Sequence, residues 1–158
     1  MKTIPIHWRV TLLAAAIGLA CCGCWSAHPH SGYQAIHQFA INGDAAGVAA
    51  ELAKFPDELN LPEDDGLTPL HLAASNCHTN VVLLLLDKGA NINVKASDGA
   101  TPLHLAAQEG CADVVQVLLD RSAEVNPRDN QGRTPLTRAE QWHQNSTALI
   151  LKQHGGTE

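Results

Sequence analysis

A seven-residue motif, TPLHLAA, occurs twice without change, at residues 68–74 and again 33 residues later at 101–107. A third, partial copy begins at Thr134, another 33 residues along the chain, and a degenerate copy lies at 34–40. Repetition at one fixed period indicates that a single structural unit is stacked on copies of itself. We therefore predict an array of four units. Their expected positions are approximately 33–66, 67–99, 100–132 and 133–155.

The residues around each motif predict the structure of one unit. Thr followed by Pro favours a helix start, because the Thr oxygen can accept a bond from the first turn and Pro lacks only an N–H that has no partner there. After a polar break, the apolar run 81–86 ends near Gly89, which predicts a second helix. Asp98-Gly99 then favours a tight turn with positive φ. Each unit is thus predicted to be two helices and a hairpin-like finger loop.

Together with these flanking segments, the repeated motif resembles the ankyrin repeat, over about four-fifths of the chain. The resemblance implies an all-α, ankyrin-like helical solenoid of about four repeats in one domain at 33–155. It also implies that the motif histidine is a structural residue whose hydrogen bonds tie one unit to the next. The first and last units depart from the pattern as caps of a stack do. The motif residues expected to carry the repeat structure are Thr68, Pro69, His71, Thr101, Pro102, His104, Thr134 and Pro135.

The start of the chain has a different composition. Lys2 and Arg9 precede an apolar run at 10–20, which has the length of the hydrophobic region of a signal peptide and is too short to span a bilayer comfortably. The segment LACCGC that follows is similar to the lipobox of bacterial lipoproteins.

The lipobox resemblance implies a signal peptide at 1–21 and acylation of Cys22, with Cys21 as the alternative. A flexible tether at 22–32 would follow. The residue after Cys22 is Gly23 and not Asp, which resembles lipoproteins that are sorted to the outer membrane, and there the protein would face the periplasm. An ordinary cleaved signal peptide, which would release a soluble periplasmic or secreted protein, remains the alternative.

Net charge limits the possible partners. Without Lys2 and Arg9 the chain has eight basic and sixteen acidic residues, a formal charge of −8. A nucleic acid is therefore not expected as a partner, because its phosphates would be repelled. Anionic lipid would be repelled too, so contact with a membrane would depend on the lipid anchor. We expect a monomer.

Neither an enzyme nor a cofactor site is predicted. The chain has none of the phosphate-binding or catalytic motifs that would indicate an enzyme. Its nine histidines form no spaced Cys/His quartet, and we expect no bound metal. Cys77 and Cys111 are expected about 10 Å apart on adjacent repeats, beyond the roughly 7 Å between Cα atoms that a disulfide allows. We therefore expect them unbonded, with a bridge in an oxidising compartment as the alternative.

The resemblance implies binding of a protein partner through the finger tips and the concave face of the first helices. Trp142 stands out there, because an exposed tryptophan is typical of a binding anchor, although it could equally cover the end of the stack. The tips also change from acidic near Asp64 to basic near Arg128, which would fix the partner's direction; the alternative is that these are the charges that solvated loops routinely carry. The predicted surface comprises Asp64, Asp65, Leu67, Ser75, Asn76, Ser97, Asp98, Ala100, Gln108, Glu109, Asn130, Gln131, Arg133 and Trp142.

The favoured function is therefore a non-catalytic protein-interaction module at the bacterial cell envelope. Two alternatives remain at this point. One is a soluble secreted effector that uses the same surface on a foreign protein, and the other is a periplasmic metal or redox factor that uses His and Cys. The sequence does not identify the partner.

Overall fold

Residues 33–158 are described by a computed structural model, and they fold into paired helices joined by finger loops. The predicted signal peptide, tether and acylation sites Cys21 and Cys22 lie outside the described residues. Within 33–158 there is no β-strand, and the predicted all-α solenoid is confirmed. The helices are α1 Tyr33–Asn42, α2 Ala45–Lys54, α3 Pro69–Ser75, α4 Thr79–Asp87, α5 Pro102–Glu109, α6 Ala112–Asp120, α7 Pro135–Gln141 and α8 Asn145–Gln153, and a short 3-10 helix spans Pro56–Asn60.

Three first helices begin where the motif predicts. Thr68, Thr101 and Thr134 have extended backbones at the N-cap, and a proline follows each one at the first helical position. The finger before each threonine turns at a glycine with φ of 80°, 80° and 75°, at Gly66, Gly99 and Gly132 respectively. An L side chain rarely adopts this conformation, so glycine is needed at these turns.

The helices form two layers. The first helices α1, α3, α5 and α7 pack in one row, more closely than the second helices α2, α4, α6 and α8 pack in theirs. Fully buried alanines at Ala73, Ala106 and Ala139 permit this close approach. None of the helices in 33–158 is both long and apolar enough to cross a membrane.

The last three units contribute leucines at the same core positions. Leu70, Leu103 and Leu136 of the first helices are at most 2% exposed, and Leu85, Leu118 and Leu151 of the second helices are fully buried. Truncating one of these leucines to alanine would cost about 2–5 kcal/mol, because a cavity remains where packing was tight.

Three asparagines spaced 33 residues apart join the units at their outer edge. The side-chain oxygens of Asn60, Asn93 and Asn126 each accept a bond from a backbone N–H that lies 31 residues later. For Asn126 this donor is Thr157, in the segment after α8. The donors Asn91 and Glu124 also follow the second helix of their units, so all three bonds tie a unit to the one before it in the same way.

Candidate protein-interaction surface

The finger loops form a continuous row because their backbones bond to one another. The Ser97 N–H donates to the Asp65 carbonyl and the Asn130 N–H donates to the Asp98 carbonyl, both at 2.9 Å. The side chains of Asp65 and Asp98 also accept bonds from N–H groups within their own fingers, at 3.2 and 2.9 Å. The tips therefore present their polar side chains from a fixed backbone.

Most of the predicted surface residues are accessible to a partner. The exposed ones are Asp64, Asp65, Asn76, Ser97, Asp98, Glu109, Asn130, Gln131 and Trp142. The half-buried ones are Leu67, Ser75, Gln108 and Arg133. Ala100 was placed on this surface wrongly: its side chain is 0% exposed. The chain turns inward here, and the Ala100 carbonyl accepts a bond from His71 of the preceding unit.

The motif histidines use both ring nitrogens. The Thr68 backbone N–H donates to His71 Nδ1 at 3.2 Å, so the ring proton lies on Nε2, which donates to the Ala100 carbonyl at 3.1 Å. His104 repeats this arrangement with the Thr101 N–H and the Arg133 carbonyl. Each histidine thus completes the start of its own helix and holds the next unit.

Burial keeps these rings neutral. It lowers the pKa of His71, and it lowers the pKa of His104 to about 4, although the bonds to the carbonyls of Ala100 and Arg133 act in the opposite direction. Protonation at Nδ1 would also break the bond from the threonine N–H. A ring held in this way cannot readily accept a proton near neutral pH.

An ionic cluster at the third and fourth units was not predicted. Arg138 occupies the position of Leu72 and Leu105 in the motif, yet it is only 2% exposed. Its Nη2 lies 2.7 Å from Asp129 Oδ2 and 3.0 Å from Asp98 Oδ2. The change from Leu to Arg in this position was the signal that could have revealed the cluster, because a buried arginine requires an acidic partner.

Asp129 is the centre of the cluster. Its carboxylate accepts bonds from Arg138, from the Arg133 Nε at 2.8 Å and from the backbone N–H groups of Gln131 and Arg133. Burial alone would raise the pKa of Asp129, but these bonds outweigh it and hold the pKa well below its usual range. The carboxylate therefore stays ionised and keeps the buried guanidinium paired.

The charged side chains at the two ends of the finger row make different contacts, and the predicted gradient stays a prediction. Arg133 is bound to Asp129, and Arg128 donates to the carbonyls of Gly132 and Glu158 at 2.6 and 3.2 Å. Asp64 and Asp65 of the first finger are exposed. Arg128 is exposed as well, so both the acidic and the basic end of the row face solvent, and Arg133 is half-buried.

Glu63 lies close to the carboxylates of the first finger. Burial raises the pKa of Glu63; the charge of His37 opposes this, and the carboxylates of Asp65 and Asp64 add to it. The first finger is thus the most negative part of the described row.

Trp142 follows α7 as its C-cap residue. Its backbone N–H bonds to the carbonyls of Arg138 and Glu140, but its side chain is 54% exposed. An indole that covered the end of the stack would be more fully buried. The exposed fraction therefore favours the binding anchor among the two predicted roles.

Cys77 and Cys111 form a disulfide, so the expectation that they are unbonded was wrong. Their Cα atoms are 5.0 Å apart, well below the spacing expected for adjacent repeats. The two cysteines are not equivalent: Cys77 has φ of 59°, the left-handed position that Gly110 takes in the next unit, whereas Cys111 is the N-cap of α6. The stagger of one residue brings them together.

The neighbouring junctions show the same one-residue stagger without a disulfide. A Cβ built on Gly43 would lie 2.6 Å from the His78 ring, and one built on Gly110 would meet the Gln144 side chain. The left-handed residue of each unit therefore contacts the N-cap residue of the next. Among residues 33–158, no three His, Cys, Asp or Glu side chains are grouped so that they could hold a metal ion.

Comparison with known proteins agrees with this architecture. The family model described as "Ankyrin repeats (3 copies)" matches residues 10–96 and 94–158. The chain is similar to "Ankyrin repeat domain-containing protein SOWAHB" of Xenopus laevis, with 30% identity over 95 residues and 52% of this chain. It is also similar to "Palmitoyltransferase akr1" of Neurospora crassa, with 37% identity over 65 residues and 41% of this chain.

The matched regions span 12% and 9% of the length of those two relatives, so each likeness concerns a small part of a larger protein. The family model, in contrast, matches more than half of this chain, and it does so over the helix pairs and fingers described above. The chain belongs to the ankyrin repeat family.

Proposed function

We propose that this protein is a non-catalytic protein-binding module, exported and held by a lipid anchor at the outer membrane of a bacterial cell, facing the periplasm. Ankyrin repeats form protein–protein interaction modules. The observation that carries the proposed binding mode is the row of three finger tips, joined by backbone bonds and lined with exposed polar side chains.

Rigidity of this row supports binding through it. Asp98 accepts bonds from the Ala100 N–H and the buried Arg138, yet 57% of its side chain remains exposed. A partner that pairs with a carboxylate already held in place loses less side-chain entropy on binding. The fingers are thus prepared for a partner of complementary shape and charge.

The histidines support a role without chemistry. His71 and His104 are the obvious candidates for acid–base catalysis, and both of their ring nitrogens are occupied by bonds that hold the stack together. A catalytic histidine must have one nitrogen available to exchange a proton with substrate. These two rings are committed to structure.

Two observations support export. The apolar run at 10–20 with the cysteines after it is similar to a lipoprotein leader. The Cys77–Cys111 disulfide is of the kind that persists in oxidising compartments such as the periplasm and is rare in the cytosol. The excess of acidic residues makes an acyl chain the simplest attachment to an anionic membrane.

Site-specific photo-crosslinking in the native host tests the binding surface. A photoreactive amino acid would replace Asp65 or Gln131 at the tips and, as controls, the exposed Ala50 or Asp120 of the second helices. We expect both tip positions to crosslink to the same protein and the controls not to do so. Crosslinking from the second helices alone would refute the proposed surface.

Intact-mass measurement and detergent partitioning of the mature protein test the anchor. A chain that begins at Cys22 or Cys21 and carries acyl mass would support the lipoprotein. An unmodified chain in the aqueous phase would refute the anchor and favour the soluble periplasmic or secreted alternative, with the binding surface unaffected.

A further inference from the structure

The Cys77–Cys111 bridge can be approached from one side. Cys77 is exposed, whereas Cys111 is only 4% exposed. A depression of about 280 Å³ opens at the bridge, and Thr79, Gly110 and Asp113 line it beside the two sulfurs. A thiolate that arrives from solvent would therefore meet Cys77 before Cys111.

Cys111 is suited to leave as a thiolate. It is the N-cap residue of the nine-residue helix α6, and its side chain makes no capping bond in the disulfide form. The N–H groups and dipole at a helix N-terminus stabilise a thiolate, and a more stable thiolate leaves faster. The exposed Asp113 carboxylate in the first turn opposes this stabilisation, weakened by its contact with water.

We propose that Cys77 is a thiol–disulfide exchange site for a protein dithiol of the Cys-X-X-Cys type. One thiolate of that dithiol attacks Cys77 Sγ, a mixed disulfide forms, and the Cys77–Cys111 bond breaks with the electron pair leaving on Cys111. Cys111 then takes up a proton. The second thiol of the dithiol attacks the mixed disulfide and releases Cys77, so the dithiol is oxidised by two electrons and the bridge is reduced.

Opening the bridge would loosen one junction selectively. At the equivalent place between the first two units, the His78 ring lies over Gly43 and donates to the Ile41 carbonyl at 2.7 Å. A reduced Cys77 and Cys111 have no side chain long enough to make such a contact. The finger side of this junction keeps its bond from His71 to Ala100, so the array should stay folded.

Mapping of the trapped intermediate tests the site. The oxidised full chain would be mixed with a thioredoxin-type protein whose second cysteine is replaced by serine, quenched with iodoacetamide and analysed by peptide mass spectrometry. We expect the mixed disulfide on Cys77 and the alkyl group on Cys111, in at least about tenfold excess over the reverse pattern. An equal division, or the mixed disulfide on Cys111, would overturn the proposal.

Reduction rates of the folded chain provide the second test. The intact dithiol protein should reduce the bridge faster than glutathione at equal thiol concentration, with the helical circular dichroism retained and Tm lowered by about 10–15 °C. The Asp113→Asn variant should be reduced about two- to fivefold faster, because the charge that opposes the Cys111 thiolate is removed. Reduction only after unfolding, or an unchanged rate in Asp113→Asn, would contradict the mechanism.

Discussion

The junctions after the second and third units are alike on the finger side and different on the opposite side, where the first helix of each pair ends. On the finger side, His71 and His104 each donate to a backbone carbonyl at the start of the next unit, at 3.1 and 3.0 Å, whereas His37 donates to Leu61 within its own unit. On the opposite side the contacts are a histidine over a glycine, a disulfide, and a glutamine beside a glycine. One backbone stagger thus accepts three different kinds of side-chain contact, whereas the finger side depends on the histidine bond alone.

The largest effect is expected at the ionic cluster, which joins the fourth unit to the third. Asp129→Asn should lower the free energy of unfolding by about 3–5 kcal/mol, because the buried Arg138 guanidinium loses its charged partner. Urea denaturation measures this change.

The matched control is Arg138→Leu, which restores the residue found at positions 72 and 105. It should cost far less than Asp129→Asn, and adding it to Asp129→Asn should recover most of the lost stability. A double variant as unstable as Asp129→Asn would mean that the arginine is not the reason for the loss.

Removing the bridge is expected to have the next largest effect. The Cys77→Ala/Cys111→Ala variant should lose about 3–4 kcal/mol, since the sequence separation of 34 residues closes a loop of substantial entropy in the unfolded chain. Denaturation of wild type with and without reductant should give a difference of the same size. An effect below about 1 kcal/mol in both experiments would show that this junction is no more dependent on its tie than the other two.

Acid should weaken the finger side in particular. The unfolded chain binds a proton at a histidine pKa of about 6.5, whereas the folded pKa of His104 is about 4. Stability is therefore complete above pH 6.5 and is lost as the pH falls towards 4, by about 2–3 kcal/mol for this ring. Urea unfolding at several pH values measures the slope.

His104→Gln supplies the control for the pH dependence, because glutamine can keep the capping bond but does not titrate. Its stability should fall less steeply over the same pH range, with the remainder due to His71, whose pKa is also lowered. An unchanged slope would assign the acid sensitivity to other groups.

A bridge placed at a neighbouring junction would show whether the backbone stagger there is the same. Gly43→Cys/His78→Cys should form a disulfide and raise stability by about 1–3 kcal/mol, less than the natural bridge contributes because the bond from His78 to Ile41 is lost. Non-reducing peptide mapping detects the bond. If the two thiols stay free in an oxidising buffer, the stagger of this junction differs from that of the second and third units.

The smallest change in stability is expected at Trp142. Because its side chain is 54% exposed, Trp142→Ala should alter the unfolding free energy by less than about 0.5 kcal/mol. If the residue is an anchor, the affinity for the crosslinked partner should fall by more than about 1 kcal/mol in titration calorimetry. Loss of stability without loss of affinity would mean that Trp142 covers the end of the stack and is not a binding anchor.

The features that were predictable from the sequence repeat with the motif. The turns at Gly66, Gly99 and Gly132 and the helix starts at the Thr-Pro pairs depend on residues that are adjacent in the chain, so local chemistry determines them. The predicted distance of about 10 Å between Cys77 and Cys111 treated them as equivalent positions of adjacent repeats. They are offset by one residue, so that distance does not apply to them.

Arg138 was missed for a related reason. Its partners Asp98 and Asp129 occupy different positions within their units, so alignment of the repeats does not pair them. Ala100 was misplaced because a residue one position before the motif threonine can turn either outward or inward, and only the three-dimensional path of the finger decides. Contacts between positions that are not equivalent in the repeats cannot be predicted by aligning the repeats.

The position of the bridge also sets an order of local opening. Cys77 and Cys111 join the two central units covalently, while the outer units are held by non-covalent contacts alone. We therefore expect fraying that begins at either end to reach this central pair last, because the bridge limits how far its two units can separate. A partner seated over the second and third fingers would bind the most persistent part of the array and could remain bound while the ends open and close.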